Sequence, residues 1–181
     1  MSISTPANSL PWNYTAAIRT LIRFAIVLAV LGLLIGISYQ ESAHKLTYEM
    51  APEGLRLQAV LPLALVHGHV FTVGVLLPLA LAGALVLALK TGARPVGSLA
   101  LGVLTRGYLP FAAATVALQL FKGYFILLAV RHGQTDMGAV DAAFLGGSSA
   151  LRYAVYAVVH SGMGLTLGFF LVALWRSLGK R

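Results

Sequence analysis

The chain alternates between long apolar runs and short polar segments. Four apolar runs stand out, and they lie near residues 17–39, 64–89, 108–130 and 152–175. Uncharged stretches of about 20 residues predict membrane-spanning helices. We therefore predict an all-α integral membrane four-helix bundle, formed by a single domain over residues 16–178 and preceded by a tail over residues 1–15.

Composition supports this fold and adds an orientation. The chain is 59% hydrophobic with a mean hydropathy of +0.86, which is more apolar than a typical soluble domain. Its net charge is +8, but the basic residues concentrate near the N-terminus, in the 90–107 loop and in the C-terminal tail, whereas all five acidic residues lie in the other two loops. We expect the bundle to lie in the cytoplasmic (inner) membrane, and the positive-inside rule predicts that both termini are cytoplasmic. The basic excess is thus a topology signal, and we expect no nucleic-acid partner.

Two histidines in the second run, His67 and His69, are the first candidates for chemistry. A charged side chain at bilayer depth costs ~2.5–3.5 kcal/mol or more, so ionisable residues there are functional candidates. Residues two apart on a helix point about 200° apart, so the two rings face opposite sides and are poorly placed to ligate one ion together. His69 shares its side with small residues, and we expect it to face the bundle interior.

Two other runs carry polar residues at a comparable depth. Thr115, Gln119 and Lys122 share one face of the third run, and Tyr156 and His160 share one face of the fourth. At 1.5 Å per residue, Lys122 and His160 lie ~12–14 Å from the outer ends of their helices. Three of the four predicted helices therefore offer an ionisable group to one layer of the membrane.

The predicted site draws on these three helices. Its candidate ligands are His67, His69 and His160, surrounded by Lys122, Gln119 and Tyr156. One neutral imidazole from each of the second and fourth spans suits the axial positions of haem b, and Lys122 would neutralise a propionate. Zinc or copper held by the histidines remains open. No carboxylate lies within a predicted span, which disfavours a hard-cation site. The predicted spans also lack a nucleophile–base–acid set, which disfavours a serine-type hydrolase. The chain has no cysteine, which excludes disulfides and covalent haem attachment.

Several functions fit these residues. The first is a haem protein that transfers electrons to a redox partner or senses haem or a gas. The second is a transporter or channel subunit for a metal ion, proton or small solute; with four spans it would need a homo-oligomer, built on the Gly32/Gly36 or Gly164/Gly168 faces. A partner in assembly of other membrane proteins is the third.

Prolines and loops carry further expectations. Pro62 is expected to separate an interfacial lead-in from the second span, and Pro78 to kink that span toward residue 74. We expect the first outer loop to be a solvated connector. In the second, over residues 131–150, we expect a short re-entrant or interfacial turn near Ala142–Leu145.

Three segments resemble a four-span bacterial membrane family that is known as a domain of unknown function. They are the HGHVFTVG stretch at 67–74, the Gln-x-x-Lys-Gly step at 119–123 and His160 followed by glycines. The likeness covers most of residues 20–175. This chain departs from the family at Lys122-Gly123, where the family usually has Arg-Gly, and at Gln40-Glu41, where it has Arg-Glu.

The H-x-H helix of that family is in turn similar to those of haem-copper oxidase subunit one and of the NnrS-type haem membrane proteins. In the oxidases, the pair sends one histidine to each of two haems, which agrees with the opposite faces of His67 and His69. The resemblance implies haem rather than oxidase activity, because this chain has only five histidines and no counterpart of the copper-site cluster.

Overall fold

The computed structural model describes residues 10–47, 49–51 and 53–179, which form helices and their connections without a strand. Its α-helices are α1 (Trp12–Lys45), α2 (Glu53–His69), α3 (Leu77–Lys90), α4 (Ser98–Val103), α5 (Leu109–Arg131), α6 (Met137–Ala143) and α7 (Ser149–Ser177). Two π-helical segments, Val70–Leu76 and Leu104–Tyr108, join α2 to α3 and α4 to α5. Of the predicted tail, residues 1–9 lie outside the described residues.

Four of the resulting helical rods are long and apolar enough to cross a membrane, which confirms the predicted fold. These spans are Trp12–Lys45, Gly54–Lys90, Ser98–Arg131 and Ser149–Ser177. They extend beyond the predicted apolar runs, most clearly at the start of the second and third spans. Helices continue past the hydrocarbon because their backbone amides keep intrahelical partners while polar side chains reach water. We call the end with the 91–97 connection the basic end, and the end at which α1 and α5 finish the acidic end.

The expected break at Pro62 is wrong, because Pro62 lies inside α2. Proline removes the N–H that would donate to the carbonyl of Gln58, but the residues on both sides remain helical. The lead-in and the span are therefore one helix.

Near residue 74, where Pro78 was expected to cause a kink, the second span changes its hydrogen-bonding pattern. The π-helical segment Val70–Leu76 ends where the Leu77 N–H donates to the carbonyl of Thr72, five residues earlier. Val73 would next receive its bond from residue 78, which is proline and has no N–H. The Val73 carbonyl thus lacks both helical donors.

Tyr108 supplies the missing donor from the third span. Its hydroxyl donates to the carbonyl of Val73 at 2.9 Å, and its side chain is fully buried. Tyr108 itself ends the second π-helical segment, where the Leu109 N–H reaches back to Leu104 and Pro110 follows. The irregular turns of the two spans are therefore joined by one side-chain hydrogen bond.

Close contacts between spans occur at glycines. A Cβ at Gly32 would lie 2.9 Å from the Phe71 ring, and one at Gly36 would lie 2.8 Å from His67 Cε1. The Gly32/Gly36 face is thus used within the chain, between the first and second spans, and is not available for an oligomer. A Cβ at Gly164, in contrast, would have no atom of the described residues within 4 Å apart from its own neighbours in the helix.

The fourth span lies at the periphery of the bundle. In the most apolar 18-residue stretch of this span, 6% of the residues are buried, whereas 28–33% are buried in the corresponding stretches of the other three spans. It packs on the third span, where Gly162 receives the ring of Phe111 and Gly107 receives the Thr166 methyl group. This one-sided packing leaves a cleft open between the second, third and fourth spans.

Candidate functional site

The cleft between these three spans holds four of the six predicted site residues. Its volume is about 310 Å³. We call it the His69 cleft, and it is lined by Gln58, Leu61, Pro62, Leu65, His69, Gln119, Lys122, Ile126 and Tyr156. His67 and His160 do not line it. The walls are mainly apolar, with a few polar groups converging from three helices, as in many small-molecule sites.

His69 presents a ring nitrogen with a free lone pair. The side chain is exposed, and its Nδ1 lies 2.8 Å from the Leu65 carbonyl, which can only accept a hydrogen bond. In the neutral ring, Nδ1 therefore carries the proton and Nε2 has the lone pair. That tautomer is the one in which a histidine ligates a metal through Nε2.

His67 faces the opposite way, toward the first span. Its Nδ1 lies 3.0 Å from the Gly32 carbonyl, and its ring meets Phe71 edge-on with centroids 5.0 Å apart. The absence of a side chain at Gly36 makes room for this ring. The opposite orientations expected from helix periodicity are thus present, and His67 acts as a packing residue between two spans.

His160 lies beside the cleft rather than in it. Its Nδ1 bonds the Tyr156 carbonyl at 3.1 Å, and its ring stacks on that of Tyr156 with centroids 5.7 Å apart. Tyr156 lines the cleft, so His160 lies one helical turn away along the same face of α7. Its Nε2 also keeps a lone pair.

Lys122 is placed in the cleft by the glycine that follows it. A Cβ at Gly123 would lie 2.6 Å from Leu63 Cδ2, so the second and third spans approach closely there. The Lys122 side chain passes beside this contact to the cleft, and its Nζ lies 5.9 Å from the centre of the Tyr156 ring. Gln119 lies one turn earlier on the same face of α5.

Asp141 is the site residue that sequence reasoning missed. Its carboxylate lies 2.6 Å from Lys122 Nζ and 3.1 Å from Arg152 Nη1, whereas the sequence placed it only in the second outer loop, over residues 131–150. Hydrogen bonding from Lys122, aided by the positive charges of Lys122 and Arg152, lowers the pKa of Asp141. Lys122 thus has a partner within the chain.

The short helix α6 brings Asp141 to this position. It ends at Ala143, and a turn over residues 144–147 follows it, close to the turn expected near Ala142–Leu145. Phe144, the first residue of this turn, is fully buried against Phe121 and Phe125 of α5. An apolar residue three positions after the acid was the available signal. Phe144 anchors α6 on the third span and thereby holds Asp141 over Lys122.

Among the described residues, no group of three or more histidine, aspartate or glutamate side chains is close enough to hold a metal ion. The zinc and copper alternatives therefore gain no support from the geometry.

Comparisons with protein-family models, curated proteins and solved structures gave no match to this chain. The fold defines the class, a helical integral membrane protein with four spans. The side chains that line the His69 cleft are the basis for a more specific function.

Proposed function

We propose that the protein is a membrane-embedded haem b protein, and that His69 would hold the haem iron. The observation that carries this proposal is the His69 cleft itself, an apolar-walled space lined by Lys122 and by His69, whose Nδ1 is occupied by the Leu65 carbonyl. The H-x-H resemblance supports the same group. Bound haem would supply one-electron chemistry or a binding position for a diatomic gas.

The residues of the cleft fit a macrocycle that carries acidic side groups. Leu61, Leu65 and Ile126 offer apolar walls, and Lys122 and Gln119 offer donors. A lysine ammonium has three donors, and Asp141 uses one, so Lys122 can also bind a propionate. The volume of about 310 Å³ is at the small end of ligand sites, but the cleft opens sideways because the fourth span packs on one neighbour.

The opposite orientation of His67 limits the number of haems. Its side of the second span is filled by Gly32 and Gly36 of the first span. We therefore propose one haem, in contrast to the two served by the H-x-H pair of the oxidases. His160, whose ring stacks on that of the cleft-lining Tyr156 one turn away, would be the second residue to hold the iron.

Absorption spectra of the protein purified from haem-replete cells test this assignment. We expect a Soret band that is lost in His69→Ala and kept in His67→Ala, although the latter variant should be less stable. His160→Ala should convert a six-coordinate spectrum to a five-coordinate one. His132→Ala is the matched control, since His132 bonds its own helix carbonyl at 2.7 Å but lies at the acidic end, away from the cleft.

Absence of a Soret band from the wild-type protein, with no haem in a pyridine assay, would refute the proposal. Loss of haem in His67→Ala but not in His69→Ala would overturn the choice of ligand.

A second candidate, proton or ion transport, has one observation in its favour. Asp141 is half-buried at the acidic end and contacts Lys122, which lines the same cleft as His69, so titratable groups lead from the loop into the membrane. Flux into liposomes that disappears in both His69→Ala and Asp141→Asn, from protein that holds no haem, would favour transport over haem binding.

A further inference from the structure

A second set of clefts lies at the basic end, between the first and third spans. The upper cleft, of about 520 Å³, is lined by Trp12, Asn13, Ala16, Ala17, Thr20, Ser98, Leu101, Gly102, Thr105 and Arg106. The lower cleft, of about 470 Å³, is lined by Thr20, Arg23, Phe24, Val27, Thr105, Leu109, Pro110 and Ala113. Because the two share Thr20 and Thr105, they form one continuous depression, which we call the basic groove.

The basic groove runs inward from the membrane surface. The first and third spans leave the basic end in the same direction, and the groove follows residues 12–27 of one and 98–113 of the other. Fifteen residues of helix rise about 22 Å, which covers the headgroup layer and most of one leaflet of a ~30 Å hydrocarbon core.

Polarity changes along the groove as it does along a phospholipid. The upper part carries the donors Trp12, Asn13 and Arg106, and Arg23 stands lower down. The Asn13 carbonyl oxygen accepts from the Tyr14 N–H, so the amide nitrogen of Asn13 is left to donate outward. The deepest part is apolar and is lined by Phe24, Val27, Leu109, Pro110 and Ala113.

The basic residues at this end of the protein favour binding of an anion. Arg23 and Arg106 are both exposed, and Arg19, Lys90 and Arg94 lie nearby along the chain. All five acidic residues of the sequence fall between positions 41 and 53 or between 136 and 141, the two regions at the acidic end. An anionic headgroup would therefore meet basic residues without competition from a carboxylate.

The shape of the groove follows from the third span. Gly102 lies in α4, and a Cβ built there meets nothing within 4 Å, so this part of the upper cleft is open space. The π-helical segment Leu104–Tyr108 and Pro110 then interrupt the regular helix surface where the groove turns apolar.

We propose that the basic groove binds one anionic glycerophospholipid. Its phosphate lies between Arg106 and Arg23 and within reach of Asn13, and an acyl chain follows Phe24, Val27 and Leu109 into the leaflet. The groove shares no residue with the His69 cleft, so this site stands independently of the haem proposal.

Native mass spectrometry of the full-length protein, titrated with phosphatidylglycerol or phosphatidylcholine in detergent, tests the site. We expect one phosphatidylglycerol to remain bound at activation energies that remove phosphatidylcholine. Inorganic phosphate should compete poorly, because it lacks the acyl chain; full displacement by phosphate would show that the site binds a free anion and would overturn the proposal. Equal retention of the two lipids would also overturn it.

Two pairs of variants locate the bound lipid. Arg106→Gln should weaken phosphatidylglycerol binding about fivefold, the effect of one basic residue near an anionic lipid, whereas Arg94→Gln, outside the groove, should change it less than about twofold. Gly102→Leu should fill the upper cleft and abolish the bound lipid. Gly83→Leu, at another helical glycine with nothing within 4 Å, should leave it unchanged.

Equal losses in the two arginine variants would show diffuse surface attraction and refute a defined site. Unchanged binding in Gly102→Leu would do the same. Size-exclusion chromatography and circular dichroism of each variant confirm that the fold is retained, and Arg106→Gln tests the site even if Gly102→Leu does not fold.

Discussion

Replacement of Tyr108 by phenylalanine should destabilise the protein through a single unpaired carbonyl. The Tyr108 hydroxyl is the donor that reaches the Val73 carbonyl, at 2.9 Å. Within the second span that carbonyl has no donor, because the Leu77 N–H bonds Thr72 and Pro78 has no N–H. Phenylalanine keeps the buried ring and removes only the hydroxyl group.

The expected loss is about 1–2 kcal/mol in the free energy of unfolding. A buried polar group left without a partner costs about 1–3 kcal/mol. Side-chain hydrogen bonds between membrane helices average about 0.6 kcal/mol and reach about 1.7 kcal/mol, because the unfolded chain in the membrane finds other partners. The hydrogen bond to the Val73 carbonyl should be worth close to the upper value, since both helical donors to that carbonyl are absent and Tyr108 is fully buried.

Reversible unfolding in mixed micelles, followed by circular dichroism, measures this loss. Tyr153→Phe is the matched control, because Tyr153 is 67% exposed and should tolerate the same change within about 0.5 kcal/mol. Pro78→Ala returns an N–H to the second span, so the Tyr108→Phe penalty should shrink in that background. A Tyr108→Phe penalty equal to that of Tyr153→Phe, or one unaffected by Pro78→Ala, would refute the reasoning.

Two further outcomes are expected. Gly36→Ala should lower the free energy of unfolding by about 1–3 kcal/mol, since its Cβ would lie 2.8 Å from His67 Cε1. Gly164→Ala should leave it unchanged or raise it by up to about 1 kcal/mol, because alanine favours the helix and a Cβ there has room. The same unfolding assay measures both. Asp141→Asn should free Lys122 and speed hydrogen exchange of α6 at pH 7, with unchanged exchange in the spans. In the wild-type protein the lowered pKa of Asp141 keeps this ion pair intact above the ordinary value of 3.8, and the protection should disappear only as the pH falls through the still lower folded value. Protection of α6 that disappears between pH 7 and 5 would contradict this assignment.

The sequence alone determined the number of spans, their approximate positions and the opposite orientations of His67 and His69. These properties are local. A helix long enough for the bilayer needs only a run of apolar residues, and the angle between positions i and i+2 is set by helix geometry. Pro78 marked the region near residue 74 for the same reason, since a missing N–H acts within one turn, although the prediction was a kink and the structure has a π-helical segment there.

Tertiary structure decided which face of each helix meets which neighbour. In a membrane span nearly every face is apolar, so periodicity does not show whether a face contacts lipid or another helix. The pairing of His67 with Gly36, the peripheral place of the fourth span and the arrival of Asp141 over Lys122 all depend on long-range packing. Tyr108 shows this most clearly. Its hydroxyl donates to the carbonyl of Val73, on another span, which has no helical donor because Pro78 lacks an N–H.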